Sequence, residues 1–530
     1  MQRATASSNN AFKRVFDKHI SFRMTFIENT IASIEKKQSL LASAVVFIAA
    51  FAIRETLERM LLASPFDLQL ASFHFTYFAF SILFISGLLS QLTKTAFSKT
   101  LKVVLFFFPL VLVGPLLDYF MLHNSFANYT FLETGPTSIP VFLIGWSLFF
   151  VLETGHPISM KIGVALMILA AGVYLWTKIR SRLRATASLA LFYCLFGIFL
   201  AGHVIQSCPG CAPSTSILPY PLLTLGSARL TAPGGWVISY FSIYLLLTTI
   251  TAALLWFRTN PAQFISLLRN LRAARLLGFL LFAIMGFALA KGTHPFDLVI
   301  ALSSVMFIWS FGVATNDLAD VKIDRISNKG RPLIRGIITA EGYGYVGIAS
   351  ALLALAFSYA IGGLAPMIAL AVLGLGLIYS FKPIRFRRFL FSTVMSASFA
   401  GAAFLLGYLS ASPSGFDERA ISFFAAIAVS TALGYNMKDM KDMRGDVAGK
   451  VSTLLTVFGK ERGRIAIAAL LFLSYPLFAL LSGLVSLLPA AILVGVLSAF
   501  FIFRKPYREL PILLIYLSAL LFIIYSLMTI

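Results

Sequence analysis

Apolar runs of roughly 17–25 residues, the length that crosses a bilayer core, recur along the whole of this chain. A membrane offers no partner to backbone polar groups, so only helices and closed barrels satisfy them internally. Barrel strands alternate apolar and polar residues, and these runs do not. The predicted fold is all-α and polytopic, with about 16 transmembrane helices. Charged residues make up 12% of the chain, about half the share of a soluble domain. The net charge of +22 comes from basic residues lying between apolar runs. That placement points to topology and anionic lipid, not to nucleic acid. Residues 1–40 are polar and basic, too long a stretch for the n-region of a cleaved signal peptide, so the first apolar segment is expected to be retained.

The C-terminal half is the more regular one. Nine apolar segments lie near 276–290, 295–316, 343–361, 364–380, 389–410, 419–437, 465–482, 485–503 and 510–529. The loops after the second, fourth, sixth and eighth segments hold nineteen basic residues, and the other connections hold only Lys291 and Arg419. This asymmetry places the four basic loops in the cytoplasm of an integral cell-membrane protein. A basic stretch from Arg258 to Arg275 precedes the first segment, so two domains are expected, 1–260 and 261–530.

The N-terminal half has about seven segments, near 39–53, 72–92, 103–122, 138–153, 161–177, 187–206 and 236–257. Pro109 and Pro115 make the third a candidate for a break. Arg54, Glu55, Glu58 and Arg59 follow the first run, and their i, i+4 spacing suits self-neutralising ion pairs. Three cysteines form no disulfide framework. Cys194 reads as a small packing residue, and Cys208 and Cys211 belong to a loop expected to be extracytoplasmic, where they suit a short staple. Asn128 begins a glycosylation sequon. The role of residues 1–260 is not legible.

The chemistry concentrates at two helix ends. The second C-terminal segment runs into "ATNDLADVKIDRISNKGRPL" at 314–333, where Asn316, Asp320 and Asp324 are spaced i, i+4, i+8. Each step of four on a helix turns only about 40°, so all three are expected on one face. In "YNMKDMKDMRGDVAGK", Asp439, Asp442 and Asp446 are spaced i, i+3, i+7 and share a face likewise. Carboxylates this dense repel one another unless a cation lies between them. Magnesium takes hard oxygen ligands together with substrate phosphates. Two facing clusters suit a magnesium–diphosphate unit, with Lys322, Arg331, Lys382 and Lys438 balancing phosphate charge and a hydrophobic tail among the helices.

"NDLADVKID" and "DMKDMRGD" resemble the two aspartate motifs of the UbiA family of intramembrane prenyltransferases. "IYSFKPIRFRR" at 378–388 resembles its tyrosine–lysine loop, and "SNKGRPL" the arginine–proline after its first motif. The resemblance covers about 275–530. It implies a nine-helix bundle that transfers an isoprenyl group from an isoprenyl diphosphate to an acceptor, with Mg2+ and release of pyrophosphate. The acceptor types it allows include aromatic or quinone precursors and lipid glycerol phosphates. By this resemblance Asn316, Asp320, Asp324, Asp439, Asp442 and Asp446 hold metal, while Tyr379, Lys382 and Arg331 lie near the diphosphate. Another class remains open: a transporter or flippase-like binder of phosphorylated isoprenoid lipids, which needs the charge clusters but no chemistry.

Overall fold

The computed structural model describes residues 26–61, 66–121, 158–204, 235–390, 392–505 and 507–529. Every described element is helical or irregular, with no strand among the described residues. Eleven helices are long and apolar enough to cross a membrane, or twelve with one bent pair counted as a span. Two more apolar helices, Ile162–Lys178 and Ala365–Ser380, are shorter. The expected segment at 138–153, the sequon at Asn128 and the Cys208–Cys211 loop lie outside the described residues.

The chain divides into two compact units, one from Met1–Thr224 with Ile243–Leu255, the other from Leu225–Ser242 with Trp256–Ile530. In the first, helices Leu40–Leu61, Leu68–Thr93, Ile158–Lys178 and Arg182–Val204 carry the expected apolar segments. The segment with two prolines is interrupted: Phe97–Phe107 gives way to a 3-10 turn at Phe108–Leu112 and resumes at Val113–Met121. Pro109 has no N–H to continue the α-helical ladder, which accounts for the tighter turn. Ile31, Leu89, Val103, Tyr174, Leu175 and Phe192 form a buried core in this unit. Cys194 is exposed on its helix, so it is not the packing residue the apolar context suggested.

In the second unit all nine expected segments are helices: α1 Ala273–Leu289, α2 Pro295–Ala319, α3 Ala340–Ile361, α4 Ala365–Ser380, α5 Thr393–Ala411, α6 Glu418–Gly434, α7 Lys460–Leu481, α8 Leu488–Phe503 and α9 Glu509–Thr529. Their starts carry ordinary signals. Pro295 opens α2 with Asp297 in its first turn, the Thr339 hydroxyl accepts from the N–H of Gly342, and the Asp417 carboxylate accepts from that of Ala420. A short helix, Pro261–Asn270, meets α1 at a bend of 65°. Outward faces are apolar: on α8, Ile492, Leu493, Val496, Leu497 and Phe500 are all exposed. Such a continuous greasy surface suits lipid and would be a liability in water.

Inside, α1 packs tightly on α5. A Cβ on Gly286 would collide with the Phe404 carbonyl oxygen, and one on Gly407 with that of Ala283. Small residues at helix crossings let backbones approach where lipid gives no hydrophobic drive for association. Gly407 is therefore a packing contact, whereas a Cβ on Gly374 would meet nothing within 4 Å. Gly407→Ala is expected to cost about 1–3 kcal/mol, the usual overpacking penalty. Gly374→Ala should be neutral, and thermal unfolding of the two variants in detergent separates them.

Candidate active site

The site is built where α2 ends. The helix runs to Ala319, turns at Asp320 and restarts as the short helix Val321–Ser327. Asn316, Asp320 and Asp324 therefore do not share one unbroken helix; Asn316 and Asp320 share Arg387, while Asp324 turns to Arg331. Asn316 lines a cavity of about 130 Å³ together with Arg331, Tyr379, Arg387, Lys438, Asp439 and Asp446. Asp320 and Asp324, each 1% exposed, are not among the residues that line it. Asp320 accepts from Arg385 at 3.0 Å and is paired with Arg387. Asp324 is paired with Arg331 and accepts from Asn328 Nδ2 at 3.1 Å.

The second cluster follows a 3-10 turn at Tyr435–Lys438 and occupies the helix Asp439–Ala448. Asp439 and Asp446 are buried and line the cavity. The side chain of Asp442 lies outside the described residues. Lys438 Nζ stands 5.0 Å from the Tyr435 ring centroid and 5.9 Å from that of Tyr379, so its charge faces two aromatic rings. Lys322 and Lys382 are exposed and are not part of the cavity wall.

One arginine joins the two motifs. The Arg387 guanidinium donates to Asn316 Oδ1 at 3.3 Å, pairs with Asp320, and reaches Asp446 Oδ1 at 4.0 Å. Its neighbour Arg385 has a left-handed backbone, φ +50°, and caps the Ala319 carbonyl oxygen from 3.2 Å. A non-glycine residue held there costs on the order of 1–3 kcal/mol, and such strain collects at functional sites. Here the charge-assisted bonds to Asp320 and to the open end of α2 offset it.

Burial pushes the Asp324 carboxyl up to about 6, with Arg331 and Asn328 pulling the other way. Its folded-state value lies above the ordinary 3.8, so ionising it works against the fold. Its contribution to stability is fully present below 3.8 and lost as pH rises through about 6.

Residues 279–512 match the UbiA prenyltransferase family. This region belongs to that family. Over 185 residues the chain is 32% identical to the digeranylgeranylglyceryl phosphate synthase of Methanoculleus marisnigri, a match covering 34% of this chain and 63% of that protein. It is 28% identical over 188 residues to the synthase of the same name from Pyrococcus abyssi, covering 35% and 62%. The chain thus spans less than two-thirds of the length of these curated relatives. A solved UbiA homolog from Archaeoglobus fulgidus bound to GPP and Mg2+ is similar at 22% identity and a TM-score of 0.42, over 50% of this chain and 100% of that one.

Several residues of the UbiA region escape notice by spacing alone. Asp317, next to Asn316 in the first motif, is 1% exposed. It accepts from Arg331 at 2.5 Å, Arg272 at 3.0 Å, Asn270 at 2.7 Å and the Tyr343 hydroxyl at 3.2 Å. That makes it a structural hub fixing α2 to the helix pair around Asn270 and to α3. Arg385 and Arg387 stand in "FKPIRFRR" as topology signals; only their reach to Asp320 and Asn316 gives them a place here.

In the first unit, Arg54 pairs with Glu55 at 2.6 Å and Glu58 at 2.9 Å, and His74 Nδ1 lies 2.9 Å from Glu55. The expected Arg54–Glu58 pair is present, while the side chain of Arg59 lies outside the described residues. Ligand atoms of Glu55, Glu58 and His74 fall within 4.8 Å of one another. The Arg54 guanidinium already bridges both carboxylates, so the group reads as a buried ion-pair network.

Proposed function

We propose that the second unit transfers an isoprenyl group from an isoprenyl diphosphate to an acceptor, in a magnesium-dependent reaction that releases pyrophosphate. The observation that carries this is the meeting of Asn316 of the first motif with Asp439 and Asp446 of the second on one cavity, with Arg387 spanning Asn316, Asp320 and Asp446. A guanidinium between the motifs marks where positive charge is required.

The donor set fits magnesium: carboxylate and amide oxygens, with no sulfur or imidazole among the cavity residues. Asn316, Asp439 and Asp446 would hold it, joined by Asp320 and Asp324 if their carboxylates turn inward, with Asp442 as the remaining acid of the second motif. When bound, it would neutralise charge on the diphosphate oxygens. The chain's own cations, Lys438, Arg331 and Arg387, are placed to do the same as the C1–O bond breaks.

Part of the cavity wall is aromatic. Phe279, Trp309 and Phe399 line it, with the rings of Phe279 and Trp309 4.7 Å apart. Aromatic faces stabilise an adjacent allylic cation and keep water away. A second, strongly apolar cavity of about 610 Å³ shares Arg275, Phe279 and Tyr435 with the polar one and runs among α1, α6, α7, α8 and α9. It suits the isoprenyl chain. The acceptor's nucleophilic atom then bonds to C1, its proton is released and the diphosphate departs. The names of the relatives support a geranylgeranyl-length donor and a glyceryl phosphate acceptor.

The test is pyrophosphate release from the full chain in lipid, with farnesyl and geranylgeranyl diphosphate and a panel of acceptors, in magnesium and in EDTA. Magnesium-dependent release with a prenylated product establishes the reading. Tight diphosphate binding with no release across the panel moves the assignment to a lipid-phosphate transporter. Ionisation of Asp324 adds a pH signature. Below about pH 6, magnesium-dependent diphosphate affinity should fall up to about tenfold per pH unit. Asp324→Asn should remove that component.

A further inference from the structure

Beside the aspartate cavity lies a larger, open cleft of about 650 Å³. Six cations line it: Arg269, Arg272, Arg275, Arg331, Arg335 and Lys441, and no carboxylate does. Three acids outside the lining hold four of the six. Asp317 binds Arg272 and Arg331, Asp324 binds Arg331, and Glu509 binds Arg275 at 2.6 Å and Lys441 at 2.8 Å. Arg269 and Arg335 are exposed and have no carboxylate within salt-bridge distance among the described residues. Six cations against three carboxylates leave an excess of three positive charges around one concavity. Like charges repel, and a fold gathers them so closely where an anion joins them.

We infer that this cleft is a second phosphate site, distinct from the diphosphate site and independent of metal, and that it takes the phosphomonoester headgroup of a lipid or a free phosphate ester. A phosphomonoester carries close to two negative charges at neutral pH, a better match to the excess than a singly charged phosphodiester. Guanidinium forks bind such oxygens bidentately, and five of the six cations are arginines. Asn328 adds a neutral amide on the same wall, one hydrogen of which goes to Asp324. Arg272, Arg275 and Arg331 line both this cleft and the aspartate cavity, so an anion held here lies next to the diphosphate. Its natural owner is the acceptor, an assignment that rests on the prenyl-transfer reading; the phosphate site itself does not.

The experiment uses the full chain in detergent with EDTA, and measures binding of dihexanoyl phosphatidic acid, dihexanoyl phosphatidylglycerol and glycerol phosphate. The phosphomonoester lipid is expected to bind tighter than the diester, and Arg269→Gln/Arg335→Gln should weaken it about tenfold or more. Farnesyl diphosphate binding in magnesium should stay within about twofold of wild type, which also shows that the variant folds. Glycerol phosphate binding as tightly as the lipid identifies a free ester as the ligand, and lipid binding alone identifies a headgroup. Arg269→Gln by itself, at an exposed position, repeats the measurement should the pair unfold. Unchanged phosphatidic acid affinity in the variants, or none in the EDTA-treated wild type, overturns the site. Absence of farnesyl diphosphate binding in the wild type would instead sink the transferase reading, leaving the cleft to be judged by the phosphatidic acid arm.

Discussion

Asp439→Ala and Asp446→Ala are each expected to slow prenyl transfer by about 10³-fold, about 4 kcal/mol in the barrier. Both carboxylates are buried, 9% and 3% exposed, and both line the polar cavity. In the proposed magnesium–diphosphate clamp each substitution removes an oxygen donor where water is scarce, so the loss is not made good by solvent. The effect should emerge in turnover and in magnesium affinity together. Arg387→Ala should also cost more than Lys382→Ala, because Arg387 touches both motifs and Lys382 is exposed off the cavity wall. Single-turnover rates with saturating magnesium, on variants whose thermal unfolding matches wild type, make the comparison. Near-normal turnover in either aspartate variant would remove the second motif from the mechanism.

Arg331→Ala is expected to destabilise the second unit by about 3–5 kcal/mol, the range for breaking a buried ion pair from one side. Its guanidinium serves two carboxylates, Asp317 and Asp324, each 1% exposed. Asp317 keeps Arg272, Asn270 and Tyr343. Asp324 keeps the Asn328 amide and the field of Arg272 but no ion-pair contact among the described residues, so most of the penalty falls there. Without Arg331 the Asp324 carboxyl should titrate above its present value of about 6. The destabilisation is then smaller at pH 5 than at pH 8, since protonation relieves the buried charge. Arg331→Ala/Asp324→Asn should recover a large part of the loss. Unfolding curves at the two pH values test both statements; equal destabilisation at each, with no recovery in the double variant, would mean that Arg331 stabilises by packing alone.

The nine helices of the second unit were legible because their signals are local. A span must be long and apolar, and Thr339 and Asp417 stand at helix starts where polar side chains satisfy free N–H groups. The aspartate motifs were legible for a related reason: acids gain nothing from membrane topology, so a cluster of them at a helix end needs another cause. Their spacing does not foretell that α2 turns at Asp320, although the backbone bonds from Asp320 to Asn316 and from Asp324 to Asp320 keep the four-residue step.

The sequence by itself determined a helical membrane protein, the positions of its C-terminal spans and the helix ends that carry its charges, because hydrophobic length and periodicity act over a few turns of chain. Tertiary structure decided which charges meet. Arg272 reaches Asp317 across 45 residues and Arg385 reaches Asp320 across 65. Nothing in either segment's own pattern distinguishes these arginines from the many that only mark a cytoplasmic loop. The same holds for Lys382, which motif and spacing place beside the diphosphate and which the fold leaves exposed. Charge pairing depends on distance through space in a site that excludes water, and that distance exists only once the helices have packed.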